Sequence, residues 1–88
     1  MDFVFSNHAE EQLLRRGLNR DTVLQVVLFP DNIITDGDET SISVYQSIII
    51  ENEQMFLYRI FVNTIKDPLV IITLYRTTKI KKYYEGKI

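Results

Sequence analysis

The chain has 88 residues, 45% hydrophobic and 25% charged, with one histidine, no cysteine and a formal net charge of −2. That length and balance describe one folded domain held by its own core, and they exclude a disordered chain, a disulfide framework and a thiolate or multi-histidine metal site. No apolar run approaches the roughly 20 residues of a membrane-spanning helix, and the start, MDFVFSNHAEEQ, has no signal-sequence pattern, so a cytoplasmic protein that needs no cofactor is expected.

Phe3 to Phe5 reads as a short strand. Ser6 or Asn7 then offers an N-cap, with Asn7 and Glu10 at capping-box spacing, for a helix that runs to about Arg16 and stops at Gly17. Asn19 or Asp21 caps a second helix, in which Val23, Val26 and Val27 recur at core spacing and which ends before Pro30. Residues 31 to 36 are read as an edge strand.

From Ser41 the period changes to two: Ile42, Val44, Ile48 and Ile50 share one face, interrupted only by Gln46, while Ser41, Ser43, Tyr45 and Ser47 share the other. This is the pattern of a half-buried strand. Glu51-Asn52-Glu53 turns it into a second strand, Gln54 to Asn63, and Lys66-Asp67-Pro68 separates that from a third, Leu69 to Thr77. On the third, Val70, Ile72 and Leu74 are expected on one face and Ile71, Thr73, Tyr75 and Thr77 on the other. The ending, KIKKYYEGKI, fits a short strand, a helical turn or a tail. The expected fold class is therefore α+β, with two N-terminal helices packed on a three- to four-stranded antiparallel sheet.

Charge is segregated. No lysine or arginine lies between Asp21 and Tyr58, a stretch that holds Asp31, Asp36, Asp38, Glu39, Glu51 and Glu53. The basic residues sit toward the two ends, and a basic patch forms if the fold brings them together. Asp36-Gly37-Asp38-Glu39 lacks the rest of a calcium-loop pattern and reads as a turn, so no metal site is assigned.

Helical spacing places Gln12, Arg15 and Arg16 within about a quarter turn of His8, whereas Ala9 and Leu13 point to a neighbouring sector. A histidine beside two guanidinium groups has the elements of a general base or acid and a phosphate clamp. Arg59 stands inside the apolar run QMFLYRIFVN, where a charge needs solvent, a partner or a ligand. Thr73, Tyr75 and Thr77 with Arg76, Lys79, Lys81 and Lys82 form a polar, basic strand end suited to a phosphodiester backbone and a stacked base.

Taken together, Ser6-x-His8-Ala9, Arg16-Gly17-Leu18, the Val23 and Val26 helix ending at Pro30, the mid-strand Arg59 and the run from Val70 to Thr77 resemble the bacterial family called domain of unknown function 4258. That family is similar to the RelE/ParE-like and BrnT-like small toxin folds, in which two helices pack on an antiparallel sheet and many members cut RNA without metal. The resemblance points to His8, Arg16, Arg59, Thr73, Tyr75, Thr77, Lys79, Lys82 and Tyr83; joined with the helix-flank and strand-end readings, it makes His8, Arg16, Arg59 and Tyr75 the expected catalytic residues and Arg15, Thr73, Arg76, Thr77, Lys79, Lys82 and Tyr83 the expected RNA contacts. It implies a toxin-like ribonuclease with RNA and a small antitoxin protein as partners. The other reading is a non-catalytic, toxin-derived module that binds a partner protein or homodimerises. A ribonuclease requires the helix and strand groups to converge; an interaction module requires an exposed apolar or edge-strand surface.

Overall fold

The computed structural model describes residues 2–35 and 41–84. The turn read at Asp36 to Glu39 and the end of the tail, including Lys87, lie outside the described residues. The order of elements is β1 (Phe3–Phe5), α1 (Asn7–Arg16), α2 (Arg20–Leu28), β2 (Asn32–Thr35), β3 (Ile42–Glu51), β4 (Gln54–Asn63), β5 (Leu69–Thr77) and α3 (Ile80–Tyr83).

Local chemistry accounts for the helix limits. Ser6, in extended conformation, accepts the Ala9 N–H with its Oγ and starts α1, so the cap is Ser6 and not an Asn7–Glu10 box. Gly17, at φ 61°, stops the helix in the left-handed region that costs a glycine least; Leu18 N–H then reaches back to the Leu13 carbonyl, and Leu18 turns into the core. Asn19 caps α2 by accepting from the Asp21 and Thr22 N–H groups, and the helix ends at Leu28, ahead of Pro30.

The five strands form one sheet in the order β1-β5-β4-β3-β2. Four pair antiparallel, and β1 adds to the far edge by pairing parallel with β5, Phe3 to Leu69 through Phe5 to Ile71. The expected three to four strands are thus five, because the apolar Phe3–Phe5 segment is long enough to pair with the start of β5. A third helix, α3, decides the open reading of the chain's end over its described part, residues 79–84. Between β3 and β4, Asn52 and Glu53 both take positive φ, 50° and 67°, in a two-residue loop flanked by the Glu51–Gln54 pair.

Helices α1 and α2 cover one sheet face, burying Ala9, Leu13, Val23, Val26 and Val27 against Tyr58, Ile60, Val62, Ile71 and Leu74. Two sequence expectations change here. Between Phe61 and Val62 the β4–β5 register shifts, so that Phe61 opposes Thr73 and Val62 opposes Ile71; Ile72 opposes neither, and Ile71 joins Leu74 in the helix-side core. Strand β3 is covered on both faces: Ser43 and Ser47 are buried on one side and Val44 and Gln46 on the other. None of the described helices is long and apolar enough to cross a membrane.

Candidate functional site

Strand alternation sets Leu57, Arg59 and Phe61 on the face away from α1 and α2. The pairing register then aligns four polar side chains in a row across four strands: Asn32 opposes Gln46, Gln46 opposes Arg59, and Arg59 opposes Tyr75. The neighbouring row, Ile34, Val44, Phe61 and Thr73, bounds it on one side, and Ile48, Leu57 and Thr77 bound it on the other.

Hydrogen bonds run along the row. Gln46 Nε2 donates to Asn32 Oδ1 at 3.1 Å, Arg59 Nε donates to Gln46 Oε1 at 2.6 Å, and Arg59 Nη1 donates to the Tyr75 hydroxyl at 2.7 Å. Arg59 is only 1% exposed and Gln46 is fully buried. Three rings surround the guanidinium, with its Cζ 5.4 Å from the centroid of Phe61, 5.8 Å from Tyr75 and 4.6 Å from Tyr83. The charge that looks isolated in the sequence is therefore held by an amide, a phenol and π faces. Helix α3 carries Tyr83 over this face, edge-on to Tyr75, and Asn32 Nδ2 anchors the following turn by donating to the Tyr84 carbonyl.

A second arginine arrives from the helix layer. Arg16, exposed at the end of α1, has its Cζ 5.9 Å from the Tyr75 centroid, and its Nε donates to Gln12 Oε1 at 2.6 Å. Gln12, read on one helix flank with His8, Arg15 and Arg16, is buried and acts as the brace for that guanidinium. Tyr75 thus has the buried Arg59 on its hydroxyl and the accessible Arg16 by its ring, with Lys82 Nζ 5.2 Å from the Tyr83 ring nearby. A phenol in this position can donate its own proton while accepting from Arg59, and the exposed guanidinium can hold an anion beside it.

Other expected site residues lie elsewhere. His8 is exposed in the first turn of α1 and, among the described residues, contacts none of Arg16, Arg59 and Tyr75; eight residues of helical rise separate it from Arg16 by about 12 Å. Arg15 is exposed on the same helix. Thr73 and Thr77 share the Tyr75 face, one on each side of it. Lys79 is exposed where the chain enters α3. Arg76 falls on the opposite face, paired across strands with Tyr58; its guanidinium binds Glu51 and lies 4.3 Å from the Phe56 centroid. The Tyr58 hydroxyl donates to Glu51 Oε2 at 2.8 Å, and burial, reinforced by that carboxylate, raises the phenol's pKa above the ordinary tyrosine value. Among the described residues no cluster of metal-ligating side chains occurs.

Gln46 and Gln12 are the site residues that sequence reasoning passed over. The signal for Gln46 was its interruption of an otherwise apolar face, at the position paired with the equally anomalous Arg59.

In comparisons with known proteins, a family model described as Domain of unknown function (DUF4258) matches residues 5–76, from the end of β1 almost to the end of β5. No curated protein and no solved structure matches the chain.

Proposed function

The chain belongs to the DUF4258 family, and from that premise we propose that it is a toxin-like, metal-independent ribonuclease with a RelE/ParE- and BrnT-like arrangement and its centre at Tyr75. The observation that carries this reading is the convergence of two arginines from distant elements, Arg16 and Arg59, on one tyrosine. In this mechanism Arg16 binds the scissile phosphate and offsets the charge of the phosphorane, while Tyr83 and Lys82 hold the adjoining nucleotide by stacking and charge. The 2′-oxygen attacks phosphorus, the bond to the 5′-oxygen breaks, and the Tyr75 hydroxyl gives its proton to that leaving oxygen. The 2′-hydroxyl proton passes to solvent, and the products are a 2′,3′-cyclic phosphate and a 5′-hydroxyl. Arg59, buried behind the phenol, is a positioning residue that fixes the direction of the Tyr75 hydroxyl. His8, expected as base or acid, stands apart from this group in the first turn of α1 and takes no step in this mechanism. A small antitoxin protein would silence the activity by covering Tyr75.

The 1% exposure of Arg59 favours a second reading, a non-catalytic module in which the polar row is purely architectural. Incubating labelled RNA with purified protein in the presence of a chelator, alongside regulated expression in a bacterial host, separates the two. Cleavage and growth arrest are expected from the natural sequence, with a loss of about 10²- to 10⁴-fold in Tyr75→Phe and a comparable loss in Arg16→Ala, while His8→Ala keeps most of the activity. Intact RNA and normal growth with well-folded protein would establish the second reading instead.

A further inference from the structure

Helix α3 has little to hold it apart from the polar row beneath it. It is four residues long, too short for a helix to persist unsupported; none of its residues is buried, and Lys79 gives it no side-chain cap. Thr78 and Lys79, both exposed, join it to β5. Three contacts seat it, and each falls on a member of the row. Asn32 Nδ2 donates to the Tyr84 carbonyl at 3.2 Å, the Tyr83 ring centroid lies 4.6 Å from Arg59 Cζ, and the same ring meets Tyr75 edge-on at 6.3 Å between centroids.

Those row members have a second duty among themselves. Asn32 Oδ1 accepts from Gln46 while its Nδ2 holds α3, and Arg59 donates to Gln46 and Tyr75 while the Tyr83 ring lies by its guanidinium. Arg59 is 1% exposed although it stands on the sheet face away from α1 and α2, with α3 among the elements over it. Lifting α3 therefore takes an acceptor from Asn32, a ring from Arg59 and an edge contact from Tyr75 in one event, and it admits water to a buried cation. The same movement carries away Tyr83 and Lys82, the two groups that reach the surroundings of Tyr75 only when α3 is seated.

We propose that α3 is a latch that docks and lifts as one unit with the polar row, and that a single-stranded nucleic acid holding Tyr83 and Lys82 keeps it docked, so that binding and the aiming of the Tyr75 hydroxyl are one step. An unpaired base can stack on Tyr83, and a ligand that contacts α3 only in the docked state shifts the equilibrium toward it. The nucleic-acid half rests on the ribonuclease reading; the shared opening of α3 and the row does not.

Asn32→Asp separates latch from row, because its carboxylate still accepts from Gln46 and has no donor for the Tyr84 carbonyl. In the full-length protein, NMR follows hydrogen exchange of the Tyr84 amide, which donates to the Ile80 carbonyl within α3, and of the Arg59 Nε–H, which donates to Gln46. Both protons are expected to exchange through one opening, and Asn32→Asp should speed both by the same factor, about tenfold for one lost hydrogen bond. A single-stranded DNA oligonucleotide, which has no 2′-hydroxyl to be cleaved through, should slow both in the natural sequence. Arg59 exchange unrelated to that of Tyr84, or an Asn32→Asp effect confined to Tyr84, would overturn the latch, and an oligonucleotide that binds without slowing α3 exchange would overturn its coupling to nucleic acid. Shared opening with no oligonucleotide binding and no RNA cleavage would defeat the ribonuclease reading while upholding the latch, so the two failures are told apart.

Discussion

The polar row makes a quantitative prediction about coupling. In Gln46→Leu, the fully buried amide that accepts from Arg59 Nε is lost, and a buried cation is left with one donor unmet, at a cost of about 2–3 kcal/mol for a charge-assisted bond. In Arg59→Met, Gln46 Oε1 is orphaned instead and Tyr75 loses its donor, again about 2–3 kcal/mol. Independent effects would sum to about 5 kcal/mol. When both partners are apolar, however, neither a buried donor nor a buried acceptor remains at the centre of the row, so Gln46→Leu/Arg59→Met should cost only about 2–3 kcal/mol, no more than either single change. Asn32, which is partly exposed, can return to water when Gln46 is gone. Urea unfolding of the four proteins gives the coupling energy directly, and a domain of this size should lose roughly 4–8 °C in Tm per kcal/mol. Additivity of the two singles to within about 0.5 kcal/mol would refute the reasoning.

Three further expectations concern the frame. The Tyr58 pKa is raised in the folded protein, chiefly by burial, so the folded state holds its proton more tightly than the unfolded chain; that contribution is fully present below the ordinary phenol pKa of about 10 and is lost as pH rises through the elevated value. Alkaline unfolding curves should therefore fall more steeply for the natural sequence than for Tyr58→Phe. At Gly17 an added Cβ meets nothing within 4 Å, so Gly17→Ala should lose only the left-handed backbone cost, about 1–2 kcal/mol by urea titration. Glu53 takes positive φ in the β3–β4 loop, and Glu53→Gly should raise stability by about 0.5–1 kcal/mol in the same assay.

What the sequence made legible follows from how local each determinant is. Ser6, Gly17, Asn19 and Pro30 fix helix limits through their nearest neighbours, and period two in Ile42 to Ile50 identifies a strand without reference to any other. The register shift at Phe61 and Val62 is not written in β5 alone; it arises where β5 pairs with β4, and it moves Ile71 to the helix side. The candidate site was within reach but unjoined. Both anomalies, Gln46 in an isoleucine face and Arg59 in an aromatic run, stand out by composition, and a two-residue loop at Asn52-Glu53 makes them cross-strand partners. Reading the turn as three residues, Glu51 to Glu53, blurs that register by one position and sends each side chain to the wrong face. The approach of Arg16 to Tyr75, in contrast, depends on how α1 crosses β5, which no local pattern encodes.

A buried arginine is weak evidence of a gain in stability, since an apolar substitute for both members of a hydrogen-bonded charged pair is often as stable. The row from Asn32 to Tyr75 is better explained by direction than by energy. It ends on Tyr75, whose ring has the accessible Arg16 guanidinium 5.9 Å from its centroid, and each link upstream limits how the Tyr75 hydroxyl can turn. The same Gln46→Leu/Arg59→Met protein that keeps most of its stability should then lose RNA cleavage nearly as far as Tyr75→Phe, while its phenol remains present and no longer aimed. Cleavage at the natural rate by that folded double variant would show that Arg59 has no positioning role and that Tyr75 is oriented by its aromatic neighbours, Phe61 and Tyr83, alone.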